Sequence, residues 1–356
     1  MNDANCIQAQ QFAFSSPYRY LSYYHILVCT ISSTSIVLIV KMQKNVFPFH
    51  RNVKIILGIH LFYCFLQSSG YVAVHVADLI RLNRNHDNPC DYLLPTAYVF
   101  NFREVPVIGI YGEIVSLACI SVERTCASLL EQYEKRKMSL FLTLLCVGQF
   151  LLVIGLFYVF LAVDVDWNSF VAAFNVRTES GAWKFKLIVY FGTILEIGSI
   201  VAFHVILYIN KKRRDRLRCN AQQFACLSAR FQITENVNAM NLLLPAIWMH
   251  FLVVSATGTA LMFYDQLSDE KDKVATSTFT DATNIISFYP IFVAIFMFAK
   301  YSKARHNLFR KVADPALTVQ PQKNEGDVHF AYLNTFIMEK PKGKGRYSSL
   351  KYLCCC

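Results

Sequence analysis

The chain is 356 residues long, 54% hydrophobic and 17% charged, with a formal net charge of +11. So apolar a balance excludes an ordinary soluble domain of this length and leaves a membrane protein as the expectation. Without a soluble domain in which aromatic residues interleave with base, the charge is expected to meet anionic lipid and no nucleic acid.

The first twenty residues lack a basic stretch followed by a short apolar core and a small-residue cleavage site, so no cleavable signal peptide is expected. No Asn-x-Ser/Thr glycosylation acceptor occurs anywhere in the chain. A hydrocarbon core about 30 Å thick needs roughly 20 mostly apolar residues per helix, and seven such runs bounded by charge follow. They cover Leu21 to Val40, Val53 to Ile80, Tyr98 to Val122, Ser139 to Val163, Phe185 to Ile209, Asn241 to Tyr264 and Val274 to Ala299. The second is long enough to tilt or kink. The third carries Arg103, Glu104, Pro106 and Glu113. The expected organisation is an N-terminal segment over 1–20, an all-α membrane protein with a seven-transmembrane helix bundle over 21–299, a surface helix over 300–312 and a tail over 313–356.

Base retained in short loops sets orientation. The first loop holds Lys41, Lys44, Arg51 and Lys54, the third Arg124, Lys135, Arg136 and Lys137, and the fifth a run from Lys211 to Arg218 with Arg230 beyond it. The second, fourth and sixth are richer in acid, with Asp87 and Asp91, then Asp164, Asp166 and Glu179, then Asp265, Asp269, Glu270 and Asp272. The odd loops are therefore expected inside, the N-terminus outside and the basic tail inside.

By that topology Glu123 and Arg124 sit where the third helix meets the cytoplasm. Charged residues flank most membrane helices, so one reading is a simple interface marker. The other comes from resemblance. Glu123-Arg124-x-x-Ala127-Ser128 followed by Tyr133-Glu134, and the segment Leu227-Ser228-x-Arg230-Phe231-Gln232-x-x-Glu235-Asn236 ahead of the sixth helix, are similar to two cytoplasmic blocks of the nematode chemosensory receptors of serpentine receptor class epsilon (Sre). Parts of both blocks are shared by the sister families Sra, Srab and Srb. The resemblance implies a G-protein-coupled-receptor-like bundle in which Glu123, or a group on helix six, holds Arg124 at rest. A ligand then moves helix six and frees Arg124 toward a Gα subunit, with Tyr133, Arg230 and Glu235 on the coupling surface.

Ionisable groups at bilayer depth are costly and mark function by default. Glu113, Glu196 and His250 fall at similar depth in helices three, five and six, and Tyr289 precedes Pro290 in helix seven, where a kink is permitted. Glu113, Glu196 and His250 either floor a ligand pocket, with Tyr289 a further candidate for its lining, or form a buried cluster that holds helices together. His60 and His75 are expected to bond to backbone or face a neighbour. Helix seven lacks the Asn-Pro-x-x-Tyr pattern of rhodopsin-like receptors, and Pro245 lies nearer the inner end of helix six than in that group.

Of twelve cysteines, Cys6 and Cys90 are the two expected outside, where they are candidates for a disulfide; the fourth loop, Asp164 to Lys184, has none. The stretch Lys300 to Val312 mixes base with apolar residues, as an amphipathic helix on the inner leaflet does. Beyond it the composition is that of a largely disordered tail. The chain ends Cys354-Cys355-Cys356 below a basic run, so S-acylation would add a second anchoring signal; a prenylation box is excluded because Leu353 occupies its Cys position.

Neither a cofactor nor a metal site is expected, since His60, His75, His204 and His250 form no set at ligand spacing, and no phosphate-binding glycine loop or Ser nucleophile motif points to an enzyme. A transporter's internal repeat is also absent. The expectation is a chemosensory G-protein-coupled receptor for a small-molecule cue. Its partners are a heterotrimeric G protein, the lipid bilayer and further receptor copies; by resemblance it resides in the plasma membrane or the ciliary membrane of sensory neurons. The competing reading is a ligand-gated cation channel of the insect odorant-receptor kind, whose N-terminus lies inside.

Overall fold

A computed structural model describes residues 3–46, 51–129, 139–163, 165–174, 182–219, 227–267 and 273–312. Seven stretches are helical, long and apolar enough to cross a bilayer: Ser16–Lys41, Arg51–Leu82, Thr96–Leu129, Leu140–Ala162, Lys186–Arg216, Gln232–Tyr264 and Val274–Lys300. The shortest has 23 residues, which at 1.5 Å rise spans about 35 Å and suffices for the hydrocarbon layer.

The helices are α1 (Asp3–Phe14), α2 (Ser16–Val46), α3 (Arg51–Leu82), α4 (Thr96–Leu129), α5 (Ser139–Phe157), α6 (Ala182–Cys219), α7 (Leu227–Leu267), α8 (Lys273–Thr283) and α9 (Tyr289–Val312). Several overrun the apolar runs. A run ends where apolar residues give way to clustered charge, whereas a helix continues through Arg, Lys and Glu, which are good helix formers. Hence α4 carries Glu123 and Arg124 inside the helix rather than at its end, and α6 continues through its basic segment to Cys219.

Large apolar side chains such as Leu151, Ile194, Ile295 and Phe298 are exposed around the bundle, the outward face expected of helices whose solvent is lipid. Inside, Ile56, Ile120, Phe203, Val237, Met240 and Met297 belong to one core drawn from several spans. The α3–α4 contact is the closest. A Cβ added at Gly109 would lie 2.5 Å from the Gln67 backbone nitrogen, one at Gly70 would lie 2.6 Å from the Pro106 ring, and one at Gly112 would enter the Tyr63 ring. Without a hydrophobic drive between helices in lipid, such small residues let backbones approach and gain dispersion contact.

One end of the bundle is closed by α1. Cys6 in α1 and Cys90 form a disulfide across 84 residues of sequence. Phe12, Ala13, Tyr18, Leu82, Tyr92 and Ala173 pack around them. Two short strands, β1 (Leu94–Pro95) and β2 (Phe170–Val171), pair antiparallel with Leu94 opposite Val171, and the Thr96 and Ser169 hydroxyls bond at 2.8 Å. Arg81 reinforces this end by donating to the carbonyls of Tyr92 and Ala172, each at 2.9 Å. The segment before β2 is thus tied to α4 by hydrogen bonds, without a cysteine.

The seventh span is two helices. α8 stops at Thr283, a 3-10 turn runs over Ile286–Phe288, and α9 starts at Tyr289. The interruption precedes Pro290, which sits in the first turn of α9, where a missing N–H removes no helical bond.

Candidate functional site

Three buried polar layers lie along the bundle. The first is at the end opposite α1. Arg124, 2% exposed, makes a paired contact with its own neighbour, Nε to Glu123 Oε2 at 2.6 Å and a terminal nitrogen to Oε1 at 2.7 Å. Its other terminal nitrogen donates to Asn236 Oδ1 on α7 at 2.6 Å. Asn236 donates to the Ala127 carbonyl at 3.4 Å, Asn210 on α6 donates to Ser128 Oγ at 2.8 Å, and Arg213 donates to the Ser128 carbonyl at 2.7 Å. Spans three, five and six are thereby bonded around one guanidinium. A planar fork with five donors suits this better than an ammonium would.

The second layer is midway. His250 Nδ1 lies 2.6 Å from Glu196 and Nε2 lies 3.2 Å from Glu113. His60 Nδ1 lies 2.8 Å from Ser116 Oγ, and its Nε2 lies 2.9 Å from the Tyr289 hydroxyl. Because Ser116 donates to the Glu113 carbonyl at 2.9 Å, Nδ1 of His60 is assigned as the donor to Ser116 and Nε2 as the acceptor from Tyr289. The His250 and Tyr289 rings meet edge to face at 4.7 Å. Glu113, Glu196, His250 and Tyr289 therefore do come together, with His60 and Ser116, and join five spans. The cavity lined by His60 and Tyr289 has a volume of only about 10 Å³, room for no more than one water. The layer as it stands is a hydrogen-bonded clasp.

The third layer lies beneath α1. The Tyr18 hydroxyl donates to Asp78 at 2.7 Å, and Arg81 pairs with the same carboxylate at 2.6 Å. His25 Nε2 meets the Asp281 carbonyl at 2.8 Å and stacks on His75, ring centroids 4.8 Å apart. His75 stacks in turn near Tyr71, and Arg103 lies over the Tyr71 ring at 5.4 Å. Among the described residues no group of three or more His, Cys, Asp or Glu is arranged to hold a metal ion.

Of the coupling residues expected from the motifs, Glu235 lies on α7 beside Asn236, and it is Asn236 that reaches Arg124. Arg230 is within α7 but its side chain falls outside what is described, as do Tyr133, the tail and Cys354, Cys355 and Cys356. Asn236 stands in the motif ahead of the sixth helix and carries no charge to single it out; His60 and Ser116 could have been found by their matched depth with Glu113. In the third layer, Asp78, Arg103 and Asp281 lie inside apolar runs at comparable distances from the same end. That shared depth was the available signal.

This arrangement, seven apolar spans with a buried arginine bonded across spans three and six, is that of a G-protein-coupled-receptor-like membrane protein. The crystal structure of squid rhodopsin aligns with a TM-score of 0.55 at 10% identity, over 91% of this chain and 92% of that one, which establishes the fold. The family model described as the serpentine type 7TM GPCR receptor class ab chemoreceptor matches residues 3–337, and the chain belongs to that family. Among its relatives in Caenorhabditis elegans are serpentine receptor class alpha/beta-14, 25% identical over 76% of this chain and 70% of that protein, and class beta-17, 28% identical over 68% and 66%. Class epsilon-21, of the class its cytoplasmic motifs resemble, is 26% identical over 62% of this chain and 60% of that protein. It is a multi-pass membrane protein of a chemoreceptor family.

Proposed function

We propose that the protein is a receptor for a small-molecule chemical cue that activates a heterotrimeric G protein from the end bearing Arg124, with its N-terminus outside the cell and its C-terminus inside. The Arg124–Asn236 bond supports this most directly, because it ties span six to span three at the point where an outward swing of span six would expose the guanidinium. Loop charge supports the orientation, as does the Cys6–Cys90 disulfide at the opposite end, since such bonds persist in oxidising compartments.

The middle layer links the two ends. His250 is on span six, so a ligand that re-seats it against Glu113 and Glu196 biases the same helix that carries Asn236. A ligand shifts such an equilibrium only by its different affinity for the two states. The coupling surface then comprises Arg124, Asn236 and the neighbouring Glu235, with Arg230 and Tyr133 contributed by adjoining segments. The receptor acts in the plasma membrane, and by family resemblance in sensory cilia.

Orientation is tested by glycosylation mapping, since the native chain has no acceptor. One Asn-x-Ser/Thr site is placed in an N-terminal extension and, separately, one near Asn220. Modification of the first alone is expected. Modification of the second alone would invert the chain, remove the coupling surface from the cytoplasm and favour the ligand-gated channel.

A further inference from the structure

We propose that the layer beneath α1 binds a small zwitterion, of which a free amino acid is the simplest carrier, with its anionic group on Arg103 of span three and its cationic group on Asp281 of span seven. This rests on the receptor reading above and names the ligand class.

Two aspartates and two arginines meet in this layer, and they are used unequally. Asp78 and Arg81 form an ion pair at 2.6 Å and each also makes hydrogen bonds, the carboxylate accepting from Tyr18 and one arginine nitrogen donating to two carbonyls, although Asp78 Oδ1 and two of the arginine nitrogens have no hydrogen-bond partner. Arg103 and Asp281 do neither. Among the described residues the Arg103 guanidinium makes no hydrogen bond or ion pair, and it lies over the Tyr71 ring face. The Asp281 carboxylate likewise makes none, although the residue is 7% exposed and its main-chain carbonyl receives His25. The two lie within electrostatic reach of each other without touching. Each sits two turns or so inside its helix, Arg103 after Thr96 and Asp281 after Lys273, roughly 10–12 Å from the helix start at 1.5 Å per residue.

Unpaired charges inside a bundle are costly. A monoanion on Arg103 would leave Asp281 unpaired and bring a second negative charge toward it. A monocation on Asp281 would do the converse to Arg103. A molecule carrying both signs satisfies both groups at once, and a carboxylate matches the guanidinium fork in two-point contact. Further polar atoms wait at the same level. His75 is 2% exposed with neither ring nitrogen partnered, and Asn284 Oδ1 is also unpartnered. These provide acceptors and donors for the rest of the ligand. The Tyr71 face stands beside the cationic end of Arg103.

The site borders two features of the chain path. Asn284 begins the interruption between α8 and α9, directly after the turn that carries Asp281. The cover, α1, is tied by its disulfide to the segment after span two.

The test uses the full-length protein in lipid nanodiscs and reads the thermal unfolding midpoint, which involves no G protein. The probes are the twenty proteinogenic amino acids with β-alanine and γ-aminobutyrate, each at millimolar concentration. The expected result is a saturable rise in midpoint with at least one of them, lost by at least tenfold in affinity for its N-acetyl derivative and for its C-terminal amide. Arg103→Gln should weaken the free ligand while sparing the residual response to the amide, and Asp281→Asn should do so for the N-acetyl form. The derivative series is read on the unaltered protein and so holds if a variant fails to fold. No response to any of the probes, or derivatives that bind as well as the parent, would overturn the proposal. A midpoint shift without any nucleotide exchange on Gα would keep it and remove the coupling reading instead.

Discussion

Arg124 on α4 and Asn236 on α7, 112 residues apart in sequence, are joined by a 2.6 Å hydrogen bond in which the guanidinium donates to the amide oxygen. Glu123 occupies the other edge of the same guanidinium. One buried cation therefore has a local partner that travels with it and a distant partner that does not. Of these two partners, the distant one reports the separation of spans three and six.

Glu123→Gln leaves the Asn236 bond in place but removes the charge that balances Arg124. Basal coupling should rise, and Arg124→Ala should abolish coupling while surface expression persists. Quantitative surface labelling alongside a second-messenger assay separates these outcomes. Unchanged signalling in both variants contradicts a switch role for the pair.

Removing His250 strands two carboxyl groups, Glu113 and Glu196, both essentially without exposure. Breaking a buried pair by deleting one partner costs about 3–5 kcal/mol, so His250→Ala should lower the thermal unfolding midpoint markedly. Adding Glu113→Gln and Glu196→Gln to that variant should restore part of the loss, a non-additivity expected only of groups in contact. Strict additivity in calorimetric or fluorescence melts contradicts the clasp.

Gly109 faces the Gln67 backbone at a distance no side chain tolerates, whereas an added methyl group at Gly155 would meet nothing within 4 Å. Gly109→Ala should therefore destabilise the α3–α4 contact by about 1–3 kcal/mol through overpacking. Gly155→Ala should be neutral or slightly stabilising. Equal melting behaviour of the two variants would show that the close approach carries no weight.

The Cys6–Cys90 bond closes a long stretch of chain, and its loss is expected to cost about 2–5 kcal/mol. Cys6→Ser, Cys90→Ser and the double variant should be equally destabilised, because all three lack the same bond. Reductant should lower the midpoint of the unaltered protein and of none of them. A double variant less stable than either single one argues that the cysteines act separately.

The seven spans were legible because about 20 apolar residues in a row have few soluble explanations. Their ends were not. Hydropathy stops at Val122, whereas backbone hydrogen bonding carries α4 on to Leu129, so Glu123 and Arg124 read as a boundary and are in fact buried. Glu113, Glu196 and His250 were legible as costly charges at one depth. His60 and Ser116 share that depth but were outweighed as candidates, because such groups often bond to their own backbone. The layer beneath α1 was missed for a related reason: Asp78, Arg103 and Asp281 lie near span ends, where charge is ordinary, and only the packing of α1 over them makes the location interior. A short polar helix such as α1 carries little periodic signal, and Pro290, which permits the kink in span seven, stands after the interruption and does not mark its start at Asn284.

The most direct test of the account is basal nucleotide exchange on a panel of purified Gα subunits, driven by the receptor in nanodiscs with and without Asn236→Ala. A hydrogen bond to a charged group is worth about 1.5–3 kcal/mol, so the variant should shift the resting equilibrium and raise basal exchange roughly ten- to a hundredfold where the unaltered receptor is quiet. Exchange that stays at the unaltered level on every Gα, from a variant that folds and inserts normally, would contradict the Arg124–Asn236 bond as the restraint on coupling.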